Sequence, residues 1–157
     1  KVTPLKTIQG LIWREGYAAG DLVAQFYREV PEILTFWEQE GLPLYVYSSG
    51  SVEAQRGIFG HSQAGDLTPL FSGFYDTRIG AKRDSASYAA IRAEIDLAAG
   101  LILFLSDVEA ELDAAAAAGF RTCQVVREED GTVPSTRHPR APDLHEVARL
   151  FTLPLPA

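Results

Sequence analysis

A single cysteine, Cys123, stands in the whole chain of 157 residues. One thiol excludes an intrachain disulfide and any zinc site built on paired cysteines, and its plain setting is a reducing cytoplasm. No apolar run reaches the roughly 18 residues that a membrane span needs, and nothing resembles a signal peptide. Cations are scarce as well: 14 Lys and Arg stand against 21 Asp and Glu, a formal net charge of −7. Phosphate backbones are bound by clustered Lys and Arg, so a general nucleic-acid binder is excluded. One small phosphorylated ligand is not, because it needs only one or two well-placed cations. The three histidines, His61, His138 and His145, lack metal-ligand spacing and a paired nucleophile, and are expected to be structural or exposed. The chain begins with Lys rather than Met, which predicts a processed, cleaved or truncated start. Hydrophobic residues at 46% and charged residues at 22% are those of an ordinary globular domain with its own core. No large apolar stripe asks for a partner, so a monomer is expected.

What is present is organised around Leu44-Tyr45-Val46-Tyr47-Ser48-Ser49-Gly50-Ser51. Four β-favouring residues run into a small, hydroxyl-rich turn, and a helical pattern over residues 52–59 follows at once. In a parallel α/β sheet ligands sit at the carboxyl ends of strands, and the first amides of the next helix form an anion site. Phosphate is the natural guest.

Around this unit the pattern alternates. Residues 1–28 read as helical pieces broken by glycines, the tail of a helical subdomain. Pro31, Ile33, Leu34, Trp37 and Gly41 then predict a helix with Pro at its first position and Gly past its end. Residues 66–71 suggest a short helix and residues 73–77 a short extended segment. Lys82 precedes a helix whose buried side carries Tyr88, Ile91 and Ile95. Residues 101–105 are five apolar residues in a row, as in a strand covered on both faces. A helix over residues 108–118 follows, with Val108, Leu112, Ala115 and Ala116 inward and Gly119 as terminator. Residues 122–126 make the next strand, so right-handed crossovers give a parallel sheet with Cys123 inert in its core. Residues 128–142 read as loop, and Asp143 with Glu146 as the cap of a last helix.

Three polar stations fall at the ends of these elements. Ser48 and Ser49 can hold phosphate oxygens, although Ser-Ser-Gly after a strand is also an ordinary turn. Lys82 can add a compact positive charge, although a lone Lys is usually solvated. Asp107 can ligate a hard cation such as Mg²⁺, with Glu111 on the same helix face as an outer acceptor, although Asp at a helix start also serves as a cap.

In this order, on an α/β frame, the stations resemble the second, third and fourth motifs of the haloacid dehalogenase superfamily. The wording of Gln9-Gly10-Leu11-Ile12-Trp13, Gly16-Tyr17, Tyr47-Ser48-Ser49-Gly50-Ser51-Val52, Ala54-Gln55, Phe59-Gly60, Gly65-Asp66, Asp76-Thr77, Gly80-Ala81-Lys82 and Leu103-Phe104-Leu105-Ser106-Asp107 narrows this further. From about Leu5 to Arg127 the chain resembles the enolase-phosphatases of methionine salvage.

That resemblance implies a haloacid-dehalogenase-like (Rossmann-like) core over residues 29–157, with helices on both faces of a parallel sheet, and the remnant of an α-helical cap over residues 1–28. It implies a Mg²⁺-dependent hydrolase that enolises 2,3-diketo-5-methylthiopentyl-1-phosphate and removes its phosphate to give the acireductone. Ser48, Ser49 and Lys82 would bind the phosphate, with Lys82 also catalytic; Asp107 would ligate Mg²⁺, and Glu111 would support it from outside. The superfamily's nucleophilic Asp is expected upstream of Lys1, on a strand between those ending at Ser48 and Asp107. Asp76 and Asp113 are poor substitutes, so the chain alone is expected to be inactive and to need the N-terminal segment. The rival readings are a phosphatase of another small phosphometabolite and a non-catalytic phosphate-binding module.

Overall fold

The computed structural model describes residues 26–157; of the helical pieces and cap remnant expected over residues 1–28, residues 1–25 lie outside them. Helix α1 (Glu29–Gln39) begins with Glu29 and Glu32 in its first turn, where acidic side chains suit the helix dipole, and buries Val30, Ile33 and Trp37. It starts two residues before Pro31, which still sits where a missing N–H breaks no intrahelical bond. Gly41, at φ +85°, turns the chain out of it. Strand β1 (Tyr45–Tyr47) leads into α2 (Val52–Gly60), whose N-cap Ser51 accepts a hydrogen bond from the Ala54 amide. After a 3₁₀ turn at Thr68–Leu70, β2 (Gly73–Tyr75) lies parallel to β1, with Tyr45, Val46 and Tyr47 opposite Gly73, Phe74 and Tyr75. Helix α3 (Ser85–Ile95) is capped by Asp84.

The second half repeats the unit. Strand β3 (Leu103–Ser106), α4 (Glu109–Ala117) and β4 (Arg121–Val125) form a parallel crossover, and Gly119 at φ +92° ends the helix. A two-residue strand, β5 (Arg140–Ala141), extends this sheet within a stretch expected to be loop. Helix α5 (Leu144–Phe151) is capped as expected, the Asp143 carboxylate accepting from the Glu146 amide at 2.9 Å.

Side chains alternate along the strands, and each face has its own core. Val46, Leu103, Leu105, Cys123 and Val125 pack with α1, α2 and α5; Tyr47 and Phe104 pack with Tyr88, Ile91, Ala114, Ala115 and Phe120 on the other side. Helices therefore cover both faces, as predicted. On α4 the inward set is Glu111, Leu112, Ala114 and Ala115, while Ala116 is exposed, a rotation of the expected face.

The strands form two sheets, β1–β2 and β3–β4–β5. An apolar cavity of about 310 Å³ is lined by β1 and β3 together, with Trp37 and Ile91 among its walls. The strand expected over residues 101–105 is covered on both faces, Leu103 and Leu105 packing into one core and Phe104 into the other, while one of its edges faces the cavity. Leu101 is 72% exposed, and Leu103 to Leu105 are only half-buried, because β3 pairs with β4 on one edge and its other side contributes to the cavity wall.

Candidate active site

The first station forms where β1 ends. The Ser48 amide donates to the Tyr75 carbonyl at 3.0 Å, continuing the ladder by one residue. Ser48 Oγ accepts from the Gly50 amide at 3.2 Å, which closes the turn and buries Ser48 while Ser49 is exposed. Two residues to which the sequence analysis gave no place among the stations hold this turn. Gln55 reaches back from α2, its Nε2 donating to the Gly50 carbonyl at 2.8 Å and to the Tyr75 carbonyl at 2.9 Å. Asp76, just past β2, accepts from the Val52 amide at 3.1 Å and from Arg78, whose guanidinium holds the carboxyl down at about 2. The amides of Val52 and Ala54 are thus engaged by Asp76 and Ser51. The expected helix-terminus anion site is correspondingly narrowed, and the exposed Ser49 hydroxyl is the group that the turn offers.

The second and third stations meet. Lys82 Nζ lies 3.2 Å from Glu111 Oε1, with side chains 5% and 0% exposed. Glu111 Oε1 also accepts from Ser106 Oγ at 3.0 Å, and Ser106 Oγ accepts from the Val108 amide at 3.0 Å. Among the described residues, Glu111 is the carboxylate that meets the ammonium directly, as a buried ion pair. Burial lowers this ammonium to about 8, against the opposing pull of Glu111 and Asp107. The face of the Tyr47 ring lies 5.9 Å from Nζ. Lys82 is therefore no solvated surface lysine. Nor is Asp107 the cap of α4: Val108 holds that position without a side-chain cap, and the turn is closed by Ser106.

Among the described residues no group of three His, Cys, Asp or Glu side chains is placed to hold a metal ion. Glu111 meets Lys82 and Ser106. Asp107 carries a carboxylate, a hard donor of the kind that could hold Mg²⁺. The remaining candidates are engaged elsewhere. Asp113 pairs with Arg137 and with His138, which also contacts Thr122 Oγ1 at 2.7 Å. His61 Nδ1 is 2.9 Å from the Gly57 carbonyl oxygen. Burial pushes the Cys123 thiol up to about 12, which makes it inert.

Parallel strands flanked by helices on both faces, together with the likeness to solved structures, place this chain in the haloacid-dehalogenase-like class. Solved structures carry the same likeness: the UTR4 protein of Saccharomyces cerevisiae superposes with a TM-score of 0.72 at 32% identity, over 93% of this chain and 67% of that one. The L-2-haloacid dehalogenase of Xanthobacter autotrophicus shares the fold at a TM-score of 0.64 and 18% identity, over 84% of this chain and 62% of its own. Among curated proteins, the enolase-phosphatase E1 of Gluconacetobacter diazotrophicus is 59% identical over 157 residues, all of this chain and 67% of that protein. That of Granulibacter bethesdensis is 56% identical over 157 residues, 99% of this chain and 68% of that protein. The chain belongs to the enolase-phosphatase E1 family, and it spans about two thirds of the length of these relatives. No protein-family model matches it.

Proposed function

We infer that this chain carries the phosphate-handling part of an enolase-phosphatase of methionine salvage, a phosphoric monoester hydrolase acting on 2,3-diketo-5-methylthiopentyl-1-phosphate. The observation that supports it best is the Lys82 ammonium, buried in an ion pair with Glu111. A cation kept from water by the fold has hydrogen-bonding capacity to give to an anionic ligand, and its charge is felt most strongly in such a site. In this reading Ser49 and the turn held by Ser48 take the phosphate oxygens, while Lys82 balances the charge that builds on the phosphoryl group. Glu111 keeps Lys82 protonated and aimed.

Asp107 would hold Mg²⁺, which when bound supplies further positive charge at the phosphoryl oxygens. The nucleophilic carboxylate is read as belonging to a part of the protein outside the described residues, since Asp76 and Asp113 are engaged by Arg78 and by Arg137 with His138. The cavity between β1 and β3 is where a strand bringing it would lie.

The test is phosphate release from the diketo phosphate with Mg²⁺ by the full-length protein, beside Lys82→Ala, Asp107→Ala and the 157-residue chain alone. The wild type is expected to turn over, both variants to lose roughly a hundredfold or more, and the chain alone to be silent. Full turnover by Lys82→Ala would remove the lysine from the reaction.

A further inference from the structure

The loop carrying Lys82 is irregular, yet its backbone is held at three successive residues by side-chain hydroxyls. Tyr47 Oη donates to the Gly80 carbonyl at 2.6 Å, Ser87 Oγ to the Ala81 carbonyl at 2.7 Å, and Tyr88 Oη to the Lys82 carbonyl at 2.6 Å. These hydroxyls come from two directions. Tyr47 is the last residue of β1 and directly precedes the phosphate turn, whereas Ser87 and Tyr88 lie in the first turns of α3.

The anchors are themselves rigid. Tyr88 is 0% exposed, and its ring meets those of Tyr47, Phe104 and Phe120 edge-on at 5.5, 5.0 and 5.7 Å. A buried Tyr requires a partner for its hydroxyl, and here that partner is the lysine's own carbonyl. Gly80 completes the fit: at φ +143° a Cβ there would stand 2.1 Å from Ser87 Oγ, so the approach exists only with glycine. A lysine side chain has four rotatable bonds, and a loose loop would let its ammonium leave the buried pair with Glu111 for water. Holding the main chain at Gly80, Ala81 and Lys82 removes that escape at its root.

We propose that Tyr47, Ser87 and Tyr88 are positioning residues for Lys82, three hydroxyls that hold its loop to β1 and α3 and so keep the ammonium in its buried pair with Glu111. This rests on the phosphate role of Lys82 inferred above. The geometry also couples the stations, because Tyr47 belongs by sequence to the phosphate turn and by hydrogen bond to the lysine loop. Register between turn and lysine is thereby set through one side chain.

The experiment is a double-mutant cycle on inorganic phosphate affinity, measured by calorimetric titration of the full-length protein with Mg²⁺ present. Tyr88→Phe and Ser87→Ala are each made alone and combined with Lys82→Ala, with thermal unfolding recorded for every protein. Tyr88→Phe is expected to weaken phosphate about tenfold, the scale of one lost hydrogen bond. In the Lys82→Ala background the same change is expected to have no effect, because there is no ammonium left to place. Ser87→Ala removes a hydroxyl without disturbing a ring, and carries the test should Tyr88→Phe fail to fold. Equal losses with and without Lys82 would overturn the positioning role, since a merely structural hydroxyl acts in both backgrounds. Unchanged affinity in both single variants, with loss in Lys82→Ala, would overturn it while leaving the lysine's own role intact. Unchanged affinity in Lys82→Ala would overturn the lysine's role and the positioning proposal together.

Discussion

In the proposed function Lys82 is the residue on which the chemistry turns, and its environment gives it a pH signature. Its buried ammonium titrates at about 8, well below the usual 10.4 or so for lysine. Phosphate affinity is therefore expected to fall as pH rises through about 8. Glu111 opposes the shift, so Glu111→Gln should move that alkaline limb to lower pH; a limb that stays in place would exclude Lys82 as its source. For stability the sign is opposite. Between the folded and the ordinary value the unfolded chain binds more protons, so the lysine's contribution to stability improves with rising pH across that window. Burying the charged amine costs stability at neutral pH, and that cost coincides with the site. From the sequence, Lys82 was legible only through its order among the stations. Its burial, its pair with Glu111 and the hydroxyls beneath its loop depend on tertiary placement. Tyr88, read as a core residue by its period, is one by its ring, while its hydroxyl does a separate task.

At the level of elements, legibility followed punctuation. Helices α1 and α4 end at their glycines and α5 starts at its cap, so that Gly41, Gly119 and Asp143 act where the sequence placed them. Asp143→Ala should accordingly cost about 1 kcal/mol, the usual worth of an N-cap, read as a fall in the denaturant midpoint without a change in phosphate affinity. A loss of affinity would mean that α5 is coupled to the site. Strand β5 escaped notice because two residues carry no period, and Pro139 and Pro142 around it argue for loop. It forms because the Gln124 amide donates to the Pro139 carbonyl and the Gln124 side chain ties down Val133 and Ser135. The rotated face of α4 has a similar cause. Glu111 is polar by sequence, yet it is buried because Lys82 and Ser106 meet it there.

Over the whole molecule the two sheets are joined by helices on either side of an apolar cavity, and the two cores flank them. The fold class, the parallel direction of the strands and the coverage of both faces were all readable, since apolar alternation and crossover length dictate them. The described strands fall into two sheets, and they part between β1 and β3, where the resemblance expects a further strand. One further feature of this arrangement can serve as a gauge. Cys123 is the single thiol of the chain and lies wholly buried in β4, in the core shared with α1, α2 and α5. It can react with a thiol reagent only when that core opens, so its modification rate counts opening events molecule by molecule. Phosphate held at the stations should slow that clock in proportion to the stability it adds, as binding to the folded state alone requires. A rate indifferent to saturating phosphate would show that the core opens without the site. The chain thus carries its own stopwatch, started by the solvent and read at one sulfur atom.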